Sequence, residues 1–206
     1  MPIIVKIGGV EAVTDIYNAL SLGVKGIIAP MAETAFATSK FLNAIDTFVP
    51  EDNQKDIEFA INIETITAYN NLDEILRLDK INLLSSITVG RVDFTGSLGE
   101  DRKFSNSNEM FEYCTKIFQK AKNKGLKTAL GGAISPEATP FIKKLASKNL
   151  IDKFETRKLV YHKRAIELLR EFAPNKVNLY DYSEFHIIET GANYRFPIHR
   201  DTPNKL

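Results

Sequence analysis

Cysteine is almost absent: Cys114 is the single one in 206 residues. No disulfide can form within the chain, and a reducing, cytoplasmic setting fits that usage. Cys114 falls on an amphipathic pattern and reads as a core residue. An excess of either charge is also lacking, because 27 Lys and Arg stand against 26 Asp and Glu with no basic stripe. That balance argues against a nucleic-acid partner and against an anionic membrane surface. No apolar run is long enough to span a bilayer, and the start, Met1-Pro2-Ile3-Ile4-Val5, lacks the charged flank and long apolar region of a signal peptide. Tyr and Phe are scattered at core spacing, so they offer no aromatic binding platform. What the composition does supply is 44% hydrophobic residues, enough for one domain with a sizeable core and too much for a disordered chain.

The informative stretch is 86–99, Ser-Ile-Thr-Val-Gly-Arg-Val-Asp-Phe-Thr-Gly-Ser-Leu-Gly. A β-branched apolar run ends at Gly90, Asp93 follows three residues later, and Gly96 and Gly99 close what reads as a functional loop. Two readings of Asp93 are open: a helix cap or turn former, and a ligand-binding carboxylate. A second carboxylate bears on the choice. Residues 59–63, Phe-Ala-Ile-Asn-Ile, form another short buried run, and it ends in Glu64. Two consecutive strands thus deliver a carboxylate at their C-terminal ends, where ligands collect in parallel α/β folds.

Strand and helix patterns alternate along the chain. Strands are predicted at 3–7, 25–29, 57–63, 86–90, 127–130 and 154–161, helices at 11–20, 33–45, 70–78, 110–124, 136–147 and 162–172, and polar loop at 46–56. Six β-to-α units imply a parallel sheet, since parallel neighbours need long crossover connections. A polar candidate follows nearly every strand: Lys6, Glu33, Glu64, Asp93 and the pair Gly131-Gly132. That even spread favours a TIM-type (β/α) barrel over an open sheet, whose ligand residues gather at one switch point. A full eightfold barrel takes about 250 residues, so the six units in residues 1–172 are expected to form an incomplete barrel. Its two unpaired edges would need cover from another segment or chain. Glu155 and Arg157, alternating on the sixth strand, read as an internal ion pair that plugs the barrel.

Three segments, taken together and in order, resemble the HpcH/HpaI aldolase and citrate lyase family of phosphoenolpyruvate/pyruvate-type barrels. They are Ala-Pro-Met-Ala-Glu-Thr at 29–34, Ile-Glu-Thr at 63–65 with Asn-Asn-Leu-Asp-Glu-Ile-Leu at 70–76, and Gly-Arg-Val-Asp-Phe at 90–94 with Gly-Ser-Leu-Gly at 96–99. The resemblance implies a metal-dependent carbon–carbon lyase acting on a pyruvate-like keto acid or an acyl-thioester, in a homo-oligomer. It implies that Glu64 and Asp93 hold one Mg²⁺ or Mn²⁺. Neighbouring strands lie about 4.8 Å apart, so two carboxylates at their shared end can reach one hard cation and leave positions for water and substrate. The resemblance also puts Lys6 where the family has an arginine on the substrate carbonyl, and makes Glu33 a second catalytic candidate. Gly90, Asp93, Phe94, Thr95 and Gly96 are the implied substrate-binding set. A strand-end lysine reaching solvent is the alternative for Lys6, and helix-dipole stabilisation the alternative for Glu33. The family's proton-moving histidine loop has no counterpart, because no histidine precedes His162. The base then comes by another route, such as bound water or a partner subunit, or the chain is an N-terminally shortened version.

From about residue 175 the composition shifts: residues 177–182 and 185–188 read as strands with no helix between them. Further on, His199 and Asp201 form a His-x-Asp pair. The pair resembles the first half of the Fe(II) site of 2-oxoglutarate-dependent oxygenases, whose third ligand would lie beyond Leu206. Residues 173–206 are therefore expected to be a tail, the truncated start of such a domain. The alternative function is a non-catalytic barrel module attached to an oxygenase.

Overall fold

A computed structural model describes residues 2–156 and 158–166, and 167–168 and 183–189 as backbone. Six parallel strands come first: β1 (Ile3–Lys6), β2 (Gly26–Ala29), β3 (Glu58–Ile63), β4 (Ser86–Gly90), β5 (Lys127–Gly131) and β6 (Lys153–Glu155). Next, β7 (Leu159–His162) runs antiparallel to β6, and β8 (Ser183–Glu189) runs antiparallel to β7 and parallel to β1. The ring closes in sequence order. The short apolar run of β2 is buried along its whole length, as expected of a strand covered on both faces.

Around the ring lie α1 (Val13–Ser21), α2 (Ala35–Phe48), α3 (Glu51–Asp56), α4 (Ile66–Asn70), α5 (Leu72–Ile75), α6 (Arg91–Ser97), α7 (Asn108–Asn123), α8 (Thr139–Ser147) and α9 (Ala165–Leu168). Their starts are written in local chemistry. The hydroxyls of Thr34, Thr65 and Ser107 accept from the backbone N–H groups of Ala37, Ala68 and Met110 at 3.0, 3.1 and 3.0 Å, capping α2, α4 and α7. The longest, α7, buries Met110, Phe111, Cys114, Ile117, Phe118 and Ala121, a stripe at helical spacing that packs on β4 and β5. Among the described residues no helix is long and apolar enough to cross a membrane.

Side chains alternate across each strand, and this divides the core into two parts. Outward residues such as Val5, Ile27, Ile61, Ile87 and Leu130 join the helices in one large cluster. Inward residues Ile4, Ile28, Ala60 and Val160 form a second, small one. Beneath that apolar layer, at the strand starts, Glu58 accepts from Lys127 Nζ at 2.9 Å and Lys153 Nζ at 2.6 Å. Above it, at the C-terminal ends, the inward positions are polar or glycine. That upper layer is where a cavity opens.

Several expectations are corrected. The predicted strand 154–161 is a hairpin, because Thr156 turns the chain: its N–H donates to Leu159 O at 2.8 Å and its hydroxyl accepts from Leu159 N at 3.0 Å. Five β-to-α units, not six, therefore precede β7. The barrel is not left open, since Ser183–Glu189, read as tail, pairs with both β1 and β7. The polar stretch 46–56 holds the end of α2 and all of α3, begun by Pro50. The glycine-rich loop after β4 is helical, as α6. Residues 177–182 and Arg157 lie outside the described residues.

Closure through β8 is testable. Ile187 is the register partner of Ile4, and Ile187→Pro removes a ladder donor and loosens two strand edges at once. The variant is expected to unfold at lower urea and to scatter light on heating; an unchanged midpoint would mean that this strand does not close the barrel in solution.

Candidate active site

The C-terminal rim of the barrel surrounds a cavity of about 830 Å³. Lys6 of β1, Asn62 and Glu64 at the end of β3, Thr88 and Gly90 of β4, and Glu155 of β6 face into it. Asp93, Arg102, Lys103 and Asn106 line the mouth beside the Gly131–Gly132–Ala133 turn. In a barrel of this kind that rim is where chemistry is done.

Glu64 is only 3% exposed. Its Oε1 accepts from the Met31 backbone N–H at 3.0 Å and its Oε2 from Asn62 Nδ2 at 3.1 Å. Both donors are neutral, so burial dominates and pushes the carboxyl up; nearby Asp93 pushes the same way, while Met31, Lys6 and Asn62 oppose. The backbone is bent to fit this group. Met31 sits at φ 51, a left-handed conformation that a non-glycine residue adopts at a cost, and it is what aims the donor. Gly90 carries no side chain because a Cβ there would stand 2.6 Å from Glu64 Oε2. Asp93 lies in the first turn of α6, exposed, on the same cavity. The helix-start reading and the ligand reading of Asp93 are thus compatible. Beside the pair, the buried Asn62 Oδ1 has no hydrogen-bond partner among the described residues. Two carboxylates and an orphaned acceptor, converging with no ion pair among the described residues to neutralise them, suit a hydrated hard cation. No third His, Cys, Asp or Glu among the described residues completes a closed ligand set.

Arg91 builds the wall between these groups. The side chain is fully buried, and its guanidinium donates to Gly131 O (3.4 Å), Ser105 O (3.0 Å), Asn106 Oδ1 (2.7 Å), Gly132 O (2.6 Å) and Ala133 O (3.1 Å), with Phe141 4.7 Å from its charged centre. All five acceptors are neutral, and burial lowers its pKa to about 10. It remains charged at neutral pH and ties the start of α6 to two cavity-lining segments. The approach is close enough that a Cβ on Gly132 (φ +71) would meet Val92 N at 2.7 Å.

Glu155 is the residue that sequence reasoning set aside. It faces the cavity, and Thr88 Oγ1 donates to its Oε1 at 3.3 Å. Burial, aided by Glu64 and opposed by Thr88, Lys153 and Lys6, pushes its carboxyl up to about 7. The period-two alternation of β6 was a usable signal, since it puts Lys153 and Glu155 on the inward face. The assumed Arg157 partner obscured it.

The other expected site residues divide. Lys6, Glu64, Gly90 and Asp93 meet at the cavity. Glu33 does not: its Oε1 accepts from the Thr65 hydroxyl at 2.7 Å and its carbonyl from Asn71 Nδ2 at 2.9 Å, which locks the turn after β2 onto the start of α4. Phe94 is fully buried among Tyr69 and Tyr113, and Thr95 is buried against Ser105 Oγ at 3.1 Å, both because α6 turns them into the core. Gly96 lies on the exposed outer side of α6 and does not line the cavity. His199 and Asp201 lie outside the described residues.

The raised carboxyls fix a pH dependence. A carboxyl raised from 4.5 to about 7 by folding, as at Glu155, favours the folded state most below its unfolded value and loses that contribution as pH rises through the folded one. In protein kept with a chelator, Tm is expected to fall from about pH 5 to about pH 8, and Glu155→Gln to remove most of that fall. A wild-type Tm that rises over this window would contradict the assignment.

The family model "HpcH/HpaI aldolase/citrate lyase" matches residues 3–138. No curated relative matches the chain. Among solved structures, citrate synthase SbnG superposes with TM-score 0.60 at 18% identity over 74% of this chain, which spans 64% of that protein. An HpcH/HpaI aldolase from Desulfitobacterium hafniense DCB-2 gives 0.59 at 14% identity, covering 86% of this chain and 75% of its own. Protein CitE from Mycobacterium tuberculosis, solved with magnesium and pyruvate, gives 0.54 at 14% identity, covering 85% and 69%. At such identities the superpositions speak for the fold, whereas the family match spans most of the barrel: this chain belongs to the HpcH/HpaI aldolase/citrate lyase family.

Proposed function

We propose that this protein is a divalent-cation-dependent carbon–carbon lyase that cleaves a small keto acid or its acyl-thioester counterpart, with Glu64 and Asp93 as the protein's two ligands to Mg²⁺ or Mn²⁺. The observation that carries the reading is the convergence of those carboxylates on one cavity beside the unpartnered Asn62 Oδ1. A bound cation would neutralise the pair and stabilise the negative charge that develops on the substrate's keto oxygen as the neighbouring carbon–carbon bond breaks. Asn62 Oδ1 would accept from a water in the cation's shell. The anionic substrate needs positive charge as well, and Lys6 on the floor with Arg102 and Lys103 at the mouth supply it. A lysine at position 6 contacts the substrate as a point charge, without the two-pronged grip of an arginine. The binding of magnesium and pyruvate by the structurally similar CitE supports the choice of cation and of substrate class.

Calorimetric titration with Mn²⁺ and proton NMR of pyruvate in D₂O test this reading. The wild-type chain is expected to bind one Mn²⁺ and to exchange the methyl protons of pyruvate only with the metal present. Glu64→Gln keeps the shape of the side chain and one acceptor, so that the Met31 contact can stay while the Asn62 amide must turn over to accept from the new NH2. It is expected to weaken Mn²⁺ binding by at least about 100-fold, beyond the usual effect of losing an outer-shell partner. Binding and exchange that survive in Glu64→Gln would refute the assignment.

A further inference from the structure

We propose that Glu155 is the proton carrier of this site: its carboxylate takes the proton released when the substrate's carbon–carbon bond breaks and returns it to the carbon left behind. The inference rests on the lyase reading above and goes beyond it by naming the group that moves the proton.

Three observations carry it. The first is position. Glu64 and Glu155 reach the rim over two glycines that are register partners on adjacent strands: a Cβ on Gly90 would stand 2.6 Å from Glu64 Oε2, and a Cβ on Gly131 would stand 3.7 Å from Glu155 Oε2. A small molecule held at Glu64 therefore lies within reach of Glu155, although no hydrogen bond joins the two carboxylates. The second is availability. Both oxygens of Glu64 are engaged, as are both of Glu58. Among the described residues Glu155 receives only the Thr88 hydroxyl, on Oε1, and none donates to its Oε2. The third is the lack of a rival. No His, Cys or Tyr lines the cavity among the described residues; Lys6 is assigned to the anionic substrate, and of the remaining carboxylates there Asp93 is assigned to the cation and Glu137 is exposed and held by Ser135 Oγ at 2.6 Å.

The step balances without a co-reactant. For a 4-hydroxy-2-keto acid, the hydroxyl proton moves to the Glu155 carboxylate and the O–H pair becomes the aldehyde π bond. The C3–C4 pair remains on the pyruvate fragment as its enolate. The Glu155 acid then protonates C3 and is restored as carboxylate. With pyruvate alone the last transfer runs backwards, from methyl carbon to Glu155, and solvent exchange washes the proton out. A carboxyl whose pKa lies near 7 suits a group that must both accept and donate at neutral pH. The groups facing it that set this balance are Lys6 of β1, Glu64 just after β3, Thr88 of β4 and Lys153 of β6.

The test uses the full chain with saturating Mg²⁺, pyruvate in D₂O, and Mn²⁺ titration as an independent readout. Glu155→Gln, whose amide oxygen can still accept from Thr88, is expected to slow methyl exchange by about 10²–10⁴-fold while Mn²⁺ affinity is kept. Glu155→Asp is expected to recover part of the rate. Exchange in Glu155→Gln within about threefold of wild type overturns the proposal and leaves the lyase reading standing. Loss of Mn²⁺ binding in Glu155→Gln makes the residue part of the cation site and also overturns it. Wild-type protein that binds Mn²⁺ yet exchanges nothing overturns the lyase reading, and Glu155 as proton carrier with it.

Discussion

A carboxylate buried at the end of β3, with no ion pair to it among the described residues, is the constraint around which the rim is built. Glu64 gains only two neutral hydrogen bonds for its burial, from Met31 and Asn62, and an unpaired buried charge is otherwise costly. The surrounding choices follow from keeping it there. Met31 accepts a left-handed backbone at a cost of order 1 kcal/mol to deliver its N–H. Gly90 gives up a side chain. Thr65, directly after Glu64, caps α4 and donates to Glu33, so the turn after β2 and the turn after β3 hold each other in register. Under the proposed function, this arrangement is what would receive the cation.

Arg91 performs the complementary task on the other side of the rim. It brings a positive charge into a buried wall and spends it on carbonyls and an amide, none of them acidic. Because five acceptors come from two different segments, the 102–106 turn and the 131–133 turn are fixed relative to the start of α6 by one side chain. Asp93, two residues on, inherits that position. The close approach at Gly132 follows from the same packing.

Much of this was legible in the sequence where the signal was local. The strand 86–90 matches its pattern residue for residue, α7 follows its apolar stripe, and the carboxylates after the third and fourth strands do meet at one cavity. What escaped was non-local or ambiguous over a few residues. Nothing near 183–189 says that this strand slots between β1 and β7, since the pairing is with residues at the far end of the chain. Gly96 and Gly99 suggested a loop, yet α6 forms through Gly96, whose missing side chain has open space around it. Residues 154–161 alternate like one strand, and only the turn-forming hydroxyl of Thr156 betrays the hairpin. The resemblance put Phe94 and Thr95 in the substrate-binding set with Asp93, whereas a helix sends neighbours in different directions.

The central claim is that Glu64 and Asp93 share one ion. Anomalous diffraction from crystals grown with Mn²⁺ tests it most directly. The account predicts a single strong peak at the cavity rim with an oxygen of each carboxylate about 2.1 Å away, the spacing of a hard octahedral cation. A peak bound by neither residue, or by Asp93 alone with Glu64 still turned toward Met31 and Asn62, would contradict it.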